Sequence, residues 1–342
     1  MVTLWIGFIA FVLAMLALDL GVFHRKAHVV SVREALAWVG VWVSLALMFS
    51  GFVYAAYYHQ WFGLTLTNLD KTVLQGPAAA GTAFVQFLTG YVVEESLSMD
   101  NMFVIAMIMG HFRVPAAVQH RLLYWGILGA LVMRGAMIAA GNELVHRFEW
   151  ILYVFGAFLV FTAVKMLVTK ESHDLKQNVL VRLTRKLMPV TEDFHGSHFM
   201  VRLDGKLWLT PLAVALVAIE SADVIFAVDS IPAIFGITRD PFLIFTSNVF
   251  AILGLRSLYF ALAGIMEKFR YLKISLSVLL AFIGVKMLLK TWLEPIPGLN
   301  FWTLAVTVLI LAGGIVASLL ADRRRNGDAE TRGHGDAENG AP

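Results

Sequence analysis

Apolar runs of about 20 residues follow one another along most of the chain, and that is the length at which an α-helix crosses the hydrocarbon of a bilayer. They fall at 3–23, 35–58, 81–109, 120–141, 148–168, 207–236, 241–264, 271–291 and 300–320. Composition agrees: 59% of the 342 residues are hydrophobic and 15% are charged, against about 25% charged in ordinary soluble domains. The expected fold is an all-α polytopic membrane protein of about nine transmembrane helices. The pI of 9.1 would fit nucleic-acid binding, but the charges sit in short loops between apolar runs, so no nucleic-acid partner is expected. Cysteine is absent, which excludes disulfides, thiolate metal sites and cysteine nucleophiles. No basic residue precedes the first run and no small-residue cleavage site follows it, so a cleavable signal peptide is not expected.

Lys and Arg collect in cytoplasmic loops and so set the direction of the spans. Arg25, Lys26 and Arg33 follow the first run, and Arg113 and Arg121 the third. Lys170, Lys176, Arg182, Arg185, Lys186, Arg202 and Lys206 lie in segment 169–206. Lys268, Arg270 and Lys273 follow the seventh run, and Arg323, Arg324, Arg325 and Arg332 lie in the tail. The other face offers only Lys71, Arg147, Arg239 and Lys290. The N-terminus is therefore expected outside and the C-terminus in the cytoplasm. This divides the chain into a transmembrane domain, 1–320, containing a cytoplasmic loop, 169–206, and a polar, Gly-rich tail, 321–342, expected to be disordered. Within the loop, Leu175, Val179, Leu183 and Leu187 share one helical face across 174–188, with basic residues elsewhere. That pattern fits an interfacial helix on anionic lipid and equally an ordinary basic loop.

The chain repeats itself. When Asp100-Asn101 is aligned with Asp229-Ser230, Glu94 falls on Asp223. Arg134 then corresponds to Arg256, and Val164-Lys165-Met166-Leu167 to Val285-Lys286-Met287-Leu288. The units are 81–168 and 207–291. The charge bias makes the third span run inward and the sixth outward, so the two three-helix units are inverted. Inverted repeats are characteristic of secondary transporters, which place substrate near the midplane on discontinuous helices.

Seven acids lie inside spans: Asp19, Glu94, Glu95, Asp100, Glu220, Asp223 and Asp229. A carboxylate at the bilayer centre costs at least about 2.5 kcal/mol, so each must be protonated, paired or bound to a cation. On a regular helix Glu94, Ser98 and Asn101 share a face, as do Glu220 and Asp223. Asp100 and Asp229 point elsewhere unless the helix breaks. Pro232 removes the N–H that Val228's carbonyl would accept, so a break is expected in the sixth span; length and composition imply one in the third. Carboxylates, amide oxygens, hydroxyls and carbonyls with no thiolate suit manganese, magnesium or calcium. Arg134 and Arg256 are expected to balance surplus carboxylates, and Lys165 and Lys286 to snorkel towards the span ends. His195-Gly-Ser-His198, beside Glu192 and Asp193, could bind a metal, but a solvated loop is the better reading.

At these residues the chain resembles the TerC family of bacterial membrane proteins, in particular its Alx-like branch. The resemblance rests on Glu95-Ser-Leu-Ser-Met-Asp100-Asn101, on Glu220-Ser-Ala-Asp223 through Phe226-Ala-Val-Asp229-Ser230-Ile-Pro232, on Leu18-Asp19-Leu20, and on Gly254-Leu255-Arg256-Ser257-Leu258-Tyr259. It extends over about 1–320, nearly the whole chain. It implies manganese efflux across the bacterial inner (plasma) membrane, with historical associations to tellurite resistance and alkaline pH. The residues alone reach a divalent-cation transporter, not manganese in particular.

The expected function is a secondary transporter exporting manganese(II) by alternating access, with protons taken up as carboxylates release the metal. The metal is substrate; no cofactor is expected. The expected ligands are Asp100 and Asp229, supported by Glu94, Glu95, Asp223, Glu220, Asn101, Ser98 and Asp19. The alternative is a membrane scaffold for a metal or tellurite stress complex with a structural divalent ion. An intramembrane aspartyl protease would need a Gly-x-Gly-Asp signature, which neither Asp100 nor Asp229 has, so no enzymatic activity is expected.

Overall fold

The computed structural model describes residues 2–21, 31–67, 73–168, 179–203, 205–262, 271–293, 296 and 298–338; the side chains of 19–21, 185 and 322–338 lie outside this description. In chain order the elements are α1 (Val2–Gly21), α2 (Val32–Tyr58), a 3-10 turn (Trp61–Gly63), β1 (Leu66–Thr67), β2 (Val73–Leu74), α3 (Gly76–His111), α4 (Ala116–Arg147), α5 (Ile151–Val168) and α6 (Val179–Leu187). There follow β3 (Met200–Leu203), β4 (Lys206–Leu209), α7 (Pro211–Phe235), α8 (Pro241–Leu262), α9 (Leu272–Leu288), α10 (Lys290–Leu293) and α11 (Leu299–Glu338). The only sheets among the described residues are two antiparallel hairpins, β1–β2 and β3–β4. The molecule is an integral membrane protein of packed helices. Among the described residues six segments are long and apolar enough to cross a bilayer: α2, α4, α5, α7, α8 and Leu299–Ala321 of α11. Helices α1, α3 and α9 also fall on predicted runs; α9 and the apolar stretch Val2–Leu18 of α1 are shorter, and α3 is diluted by its polar residues.

Local sequence explains the helix ends. Ser31 begins α2 by accepting from the Glu34 amide at 3.3 Å, the first half of a capping box. Pro77 and Pro211 open α3 and α7, where a missing N–H does no harm. Asp240 caps α8, its Oδ1 accepting from the amides of Phe242 at 2.9 Å and Leu243 at 3.2 Å.

Two expectations about the long helices are corrected. Neither α3, at 36 residues, nor α7, at 25, is discontinuous. In α7, Pro232 sits in the last turn, and the chain closes just beyond it through Gly236 N–H to the carbonyls of Pro232 and Ala233. In α3 the backbone runs unbroken past Glu94, whose side chain pairs with an arginine of α4. The last helix runs on from its apolar stretch, Leu299–Ala321, to Glu338.

Close approaches give the helix directions. Gly126 of α4 lies against Ile219 of α7, Gly129 against Glu220, and Gly141 against Ile231 and Phe235. Residue numbers rise together, so α4 and α7 run parallel. Gly90 of α3 meets Ser247 of α8, and Glu95 lies beside Gly254, so α3 and α8 are parallel too. Helices α5 and α9 are antiparallel: Gly156 meets Gly284 and Leu288, while Gly284 meets Leu159 and Val160. A Cβ at Gly156 would lie 2.9 Å from the Gly284 oxygen, and one at Gly284 2.7 Å from the Gly156 oxygen. Only glycine permits so close a backbone crossing. Helix α8 is the hub: 89% of its apolar window is buried, against 22% for α2 and α11. Aromatic rings fill the space between α1, α2 and α8, with Phe49 and Phe250 centroids 4.7 Å apart.

Candidate functional site

The described acids of the spans lie on α3 and α7, and α4 supplies the cation between them. Arg134 is 1% exposed. Its Nε and Nη2 donate to the two oxygens of Asp223 at 3.2 and 2.9 Å. Its Nη1 pairs with Glu94 of α3 and donates to Asn248 Oδ1 of α8 at 3.1 Å. One guanidinium thus ties four helices together. The fork on Asp223 is the bidentate arrangement that suits a planar guanidinium. Breaking such a buried pair by removing one partner costs about 3–5 kcal/mol, because the survivor is left charged without water.

Other predicted residues surround this centre without joining it. Glu220, one turn before Asp223, lies against Gly129 of α4, where a Cβ would fall 2.1 Å from its Oε1. Glu95 points away from Glu94, towards Gly254 of α8 beside Trp42 of α2. Asp229 accepts from the Thr162 hydroxyl of α5 at 3.2 Å. Asp100 is half-buried, and Ser98 and Asn101 are buried on the face of α3 that carries Glu94. Arg256 is buried in α8. Asp19 lies in α1, its side chain outside the described residues. Among the described residues no three His, Asp or Glu converge as metal ligands, so Asp100 and Asp229 belong to no ready-made three-ligand group. With α3 and α7 unbroken, they stay on faces different from those of Glu94 and Asp223.

Three oxygens on these helices are buried without a hydrogen-bond partner among the described residues: Glu95 Oε2, Ser98 Oγ and Ser230 Oγ. A buried oxygen left without a donor is costly and calls for an occupant such as a proton, water or ion. The donor set is oxygen throughout, as the chain has no cysteine.

Asn248, Thr162 and Gly129 were not picked out from the sequence. Asn248 carried a signal, being an amide inside an apolar run. Thr162 carried little, because threonine is common in spans, and Gly129 is informative only once Glu220 lies opposite. Lys286 is a correction: it is 9% exposed and donates to the Gly236 carbonyl at 3.3 Å instead of snorkelling, because α9 packs against the end of α7. Lys165 is exposed.

Segment 169–206 is described only from 179. Within it α6 packs on α7 through Val181 and leaves Leu183 and Leu187 exposed. Arg121 of α4 holds the following turn, donating to Ser197 at 2.7 Å and lying over the Phe199 ring. His195 and His198 donate from Nδ1 to the carbonyls of Asp193 and His195 at 3.1 and 3.0 Å. A cavity of about 420 Å³ there is lined by Glu192, Asp193, His195 and Trp208 among others. Its acids and histidines form no three-ligand group.

Fold and site together define a multi-pass α-helical membrane protein with a buried, arginine-bridged set of carboxylates. The chain belongs to the TerC family: the family model described as integral membrane protein TerC family matches residues 79–326. It is 48% identical over 321 residues to "Uncharacterized membrane protein STKORF319" of Myxococcus xanthus, covering 94% of this chain and 93% of that protein. It is 46% identical over 315 residues to "Putative membrane-bound redox modulator Alx" of Escherichia coli strain K12, covering 90% and 94%. A membrane protein of Rickettsia bellii is 38% identical over 317 residues, covering 92% and 97%. No solved structure matches the chain.

Proposed function

We propose that this protein is a secondary transporter that exports a divalent metal ion, manganese(II) foremost, from the cytoplasm in exchange for protons. The observation that carries the reading is that Glu94 and Asp223, which correspond in the repeat, reach the same buried guanidinium from opposite helices. Acids inside a membrane-spanning bundle characteristically mark ion or proton pathways. The orphaned oxygens of Glu95, Ser98 and Ser230 add hard donors, which suit manganese, magnesium or calcium.

The helix pairing supports an inverted repeat. Exchanging α3 with α7, α4 with α8 and α5 with α9 turns the parallel pair α4–α7 into the parallel pair α8–α3. It leaves the antiparallel pair α5–α9 as itself. That is the behaviour of a two-fold axis lying in the membrane plane. Alternating access then consists of one three-helix unit rocking against the other. The N-terminus lies outside and the C-terminus in the cytoplasm, in the inner membrane of a bacterium. Anionic lipid is the partner of the basic cytoplasmic face, including α6.

The name of the Escherichia coli relative speaks of redox modulation. This chain has no cysteine, so thiol exchange is not open to it; control of a redox-active metal is.

The test is manganese flux in proteoliposomes holding only this protein, with and without a pH gradient, beside Asp223→Asn. Gradient-dependent flux that the variant lacks is the expected result. No flux of manganese, magnesium or calcium under any gradient overturns the proposal and favours a scaffold for a stress-response complex.

A further inference from the structure

We propose that Arg134 is a tethered cation that competes with the transported metal ion for Glu94 and Asp223, and that Glu220 receives the guanidinium when the metal displaces it. This rests on the transporter reading above and assigns the residue that sets its affinity.

The guanidinium lies between the two carboxylates, fully buried, with a two-point contact to Asp223 and a third contact to Glu94. Any cation that uses both carboxylates must first move it. One positive charge faces two negative ones there, so a divalent ion balances the pair better than arginine does. Attraction between charges scales with their product, which favours a divalent ion over a monovalent one as the displacing species.

A displaced guanidinium cannot be left bare in an apolar bundle. The α4–α7 interface offers it another carboxylate. Glu220 is three residues before Asp223 and so about 4.5 Å down the same face of α7. It rests on Gly129, five residues before Arg134 on the parallel helix α4. The missing side chain at Gly129 makes the room in which the Glu220 carboxylate sits against α4. The arginine can then move along its own interface by rotating its side chain, while both helices stay in place.

Three carboxylates and one guanidinium carry a net charge that one divalent ion or two protons neutralise. The cluster therefore couples one metal ion to two protons if Glu94, Asp223 and Glu220 are its only ionised acids. Arg134 makes the empty pair tolerable in the apolar bundle and weakens metal binding enough for release.

The experiment is equilibrium manganese(II) binding to the purified full-length protein in detergent. Free ion is counted by its electron paramagnetic resonance signal for wild type, Arg134→Met, Arg134→Lys and Glu220→Gln. Arg134→Met is expected to bind tighter by on the order of tenfold, equivalent to about 1.4 kcal/mol. Arg134→Lys, which keeps the charge but loses the fork, is expected to fall between it and wild type. Glu220→Gln should bind more weakly, as the displaced guanidinium has nowhere to go. Methylguanidinium added to Arg134→Met should weaken manganese binding back towards wild type, which a merely structural arginine would not produce. If Arg134→Met does not fold, the double variant Glu94→Gln/Arg134→Met removes a charge of each sign and takes its place against Glu94→Gln alone. Wild-type affinity in both Arg134→Met and Arg134→Lys overturns this inference while leaving the transporter reading intact. No manganese binding by the wild-type protein overturns both.

Discussion

Gly129→Ala separates the working site from the packing around it. A Cβ at Gly129 would lie 2.1 Å from Glu220 Oε1, 2.4 Å from Cδ and 2.5 Å from Oε2. Ordinary contact is about 3.5–4.0 Å, so the carboxylate must retreat by roughly 1.5 Å. It is the tip of a flexible side chain, and an off-rotamer torsion costs only about 0.5–1.5 kcal/mol. Alanine also gains about 0.8–1 kcal/mol of helix propensity over glycine, which nearly offsets that cost. Gly141→Ala, farther along the same α4–α7 interface, is the control. Its Cβ would lie 2.8 Å from Cε2 and 3.2 Å from Cζ of the buried Phe235 ring. A packed ring has little room to turn, and overpacking costs about 1–3 kcal/mol. Thermal unfolding in detergent, followed through the nine tryptophans, should show Gly129→Ala near wild type and Gly141→Ala clearly lower. Manganese flux should show the reverse ranking per folded molecule, with Gly129→Ala the more impaired. A Gly129→Ala protein that transports like wild type would refute the role of Glu220 against α4. One that melts below Gly141→Ala would refute the argument about flexible and rigid neighbours.

Two further outcomes are expected. Asp240, between α7 and α8, has its carboxyl pKa raised by burial, against lowering bonds from Tyr57 and from the amides of Leu243 and Phe242. An acid with a raised folded-state pKa adds stability below the unfolded pKa and loses it as pH rises through the folded one. Melting of the wild type should therefore fall as pH rises from the usual carboxylate range upward, and Asp240→Asn should flatten that fall; an unchanged slope would refute the assignment. In the cysteine-free chain, a spin label at Leu187→Cys, 72% exposed at the end of α6, should meet oxygen more than a water-soluble nickel complex in vesicles containing anionic lipid. A label freely open to the nickel complex would place α6 in water instead.

The sequence already determined that this chain lives in a membrane and where its helices run. The reason is that burial in lipid and the helical period both act on contiguous residues, so runs of apolar side chains report them directly. It also showed which acids and which arginines sit inside the spans, because a charge there is rare enough to stand out. It could not show how those charges are matched. Arg134 is 40 residues from Glu94 and 89 from Asp223, and they come together only because α4 packs on α7 and α8, which in turn pack on α3. The expected breaks failed for the same reason. Composition registers acids and a proline as threats to a helix, whereas packing paired Glu94 and Asp223 with Arg134 and put Pro232 in a final turn that tolerates it. Likewise, Lys286 looked like a residue bound for the interface, until the contact between α9 and the end of α7 closed over it. Glycines were the least legible of all. Gly129, Gly156 and Gly284 matter through the atoms that a side chain would strike, and those atoms belong to helices far away in the chain. Only the tertiary structure brings them within reach.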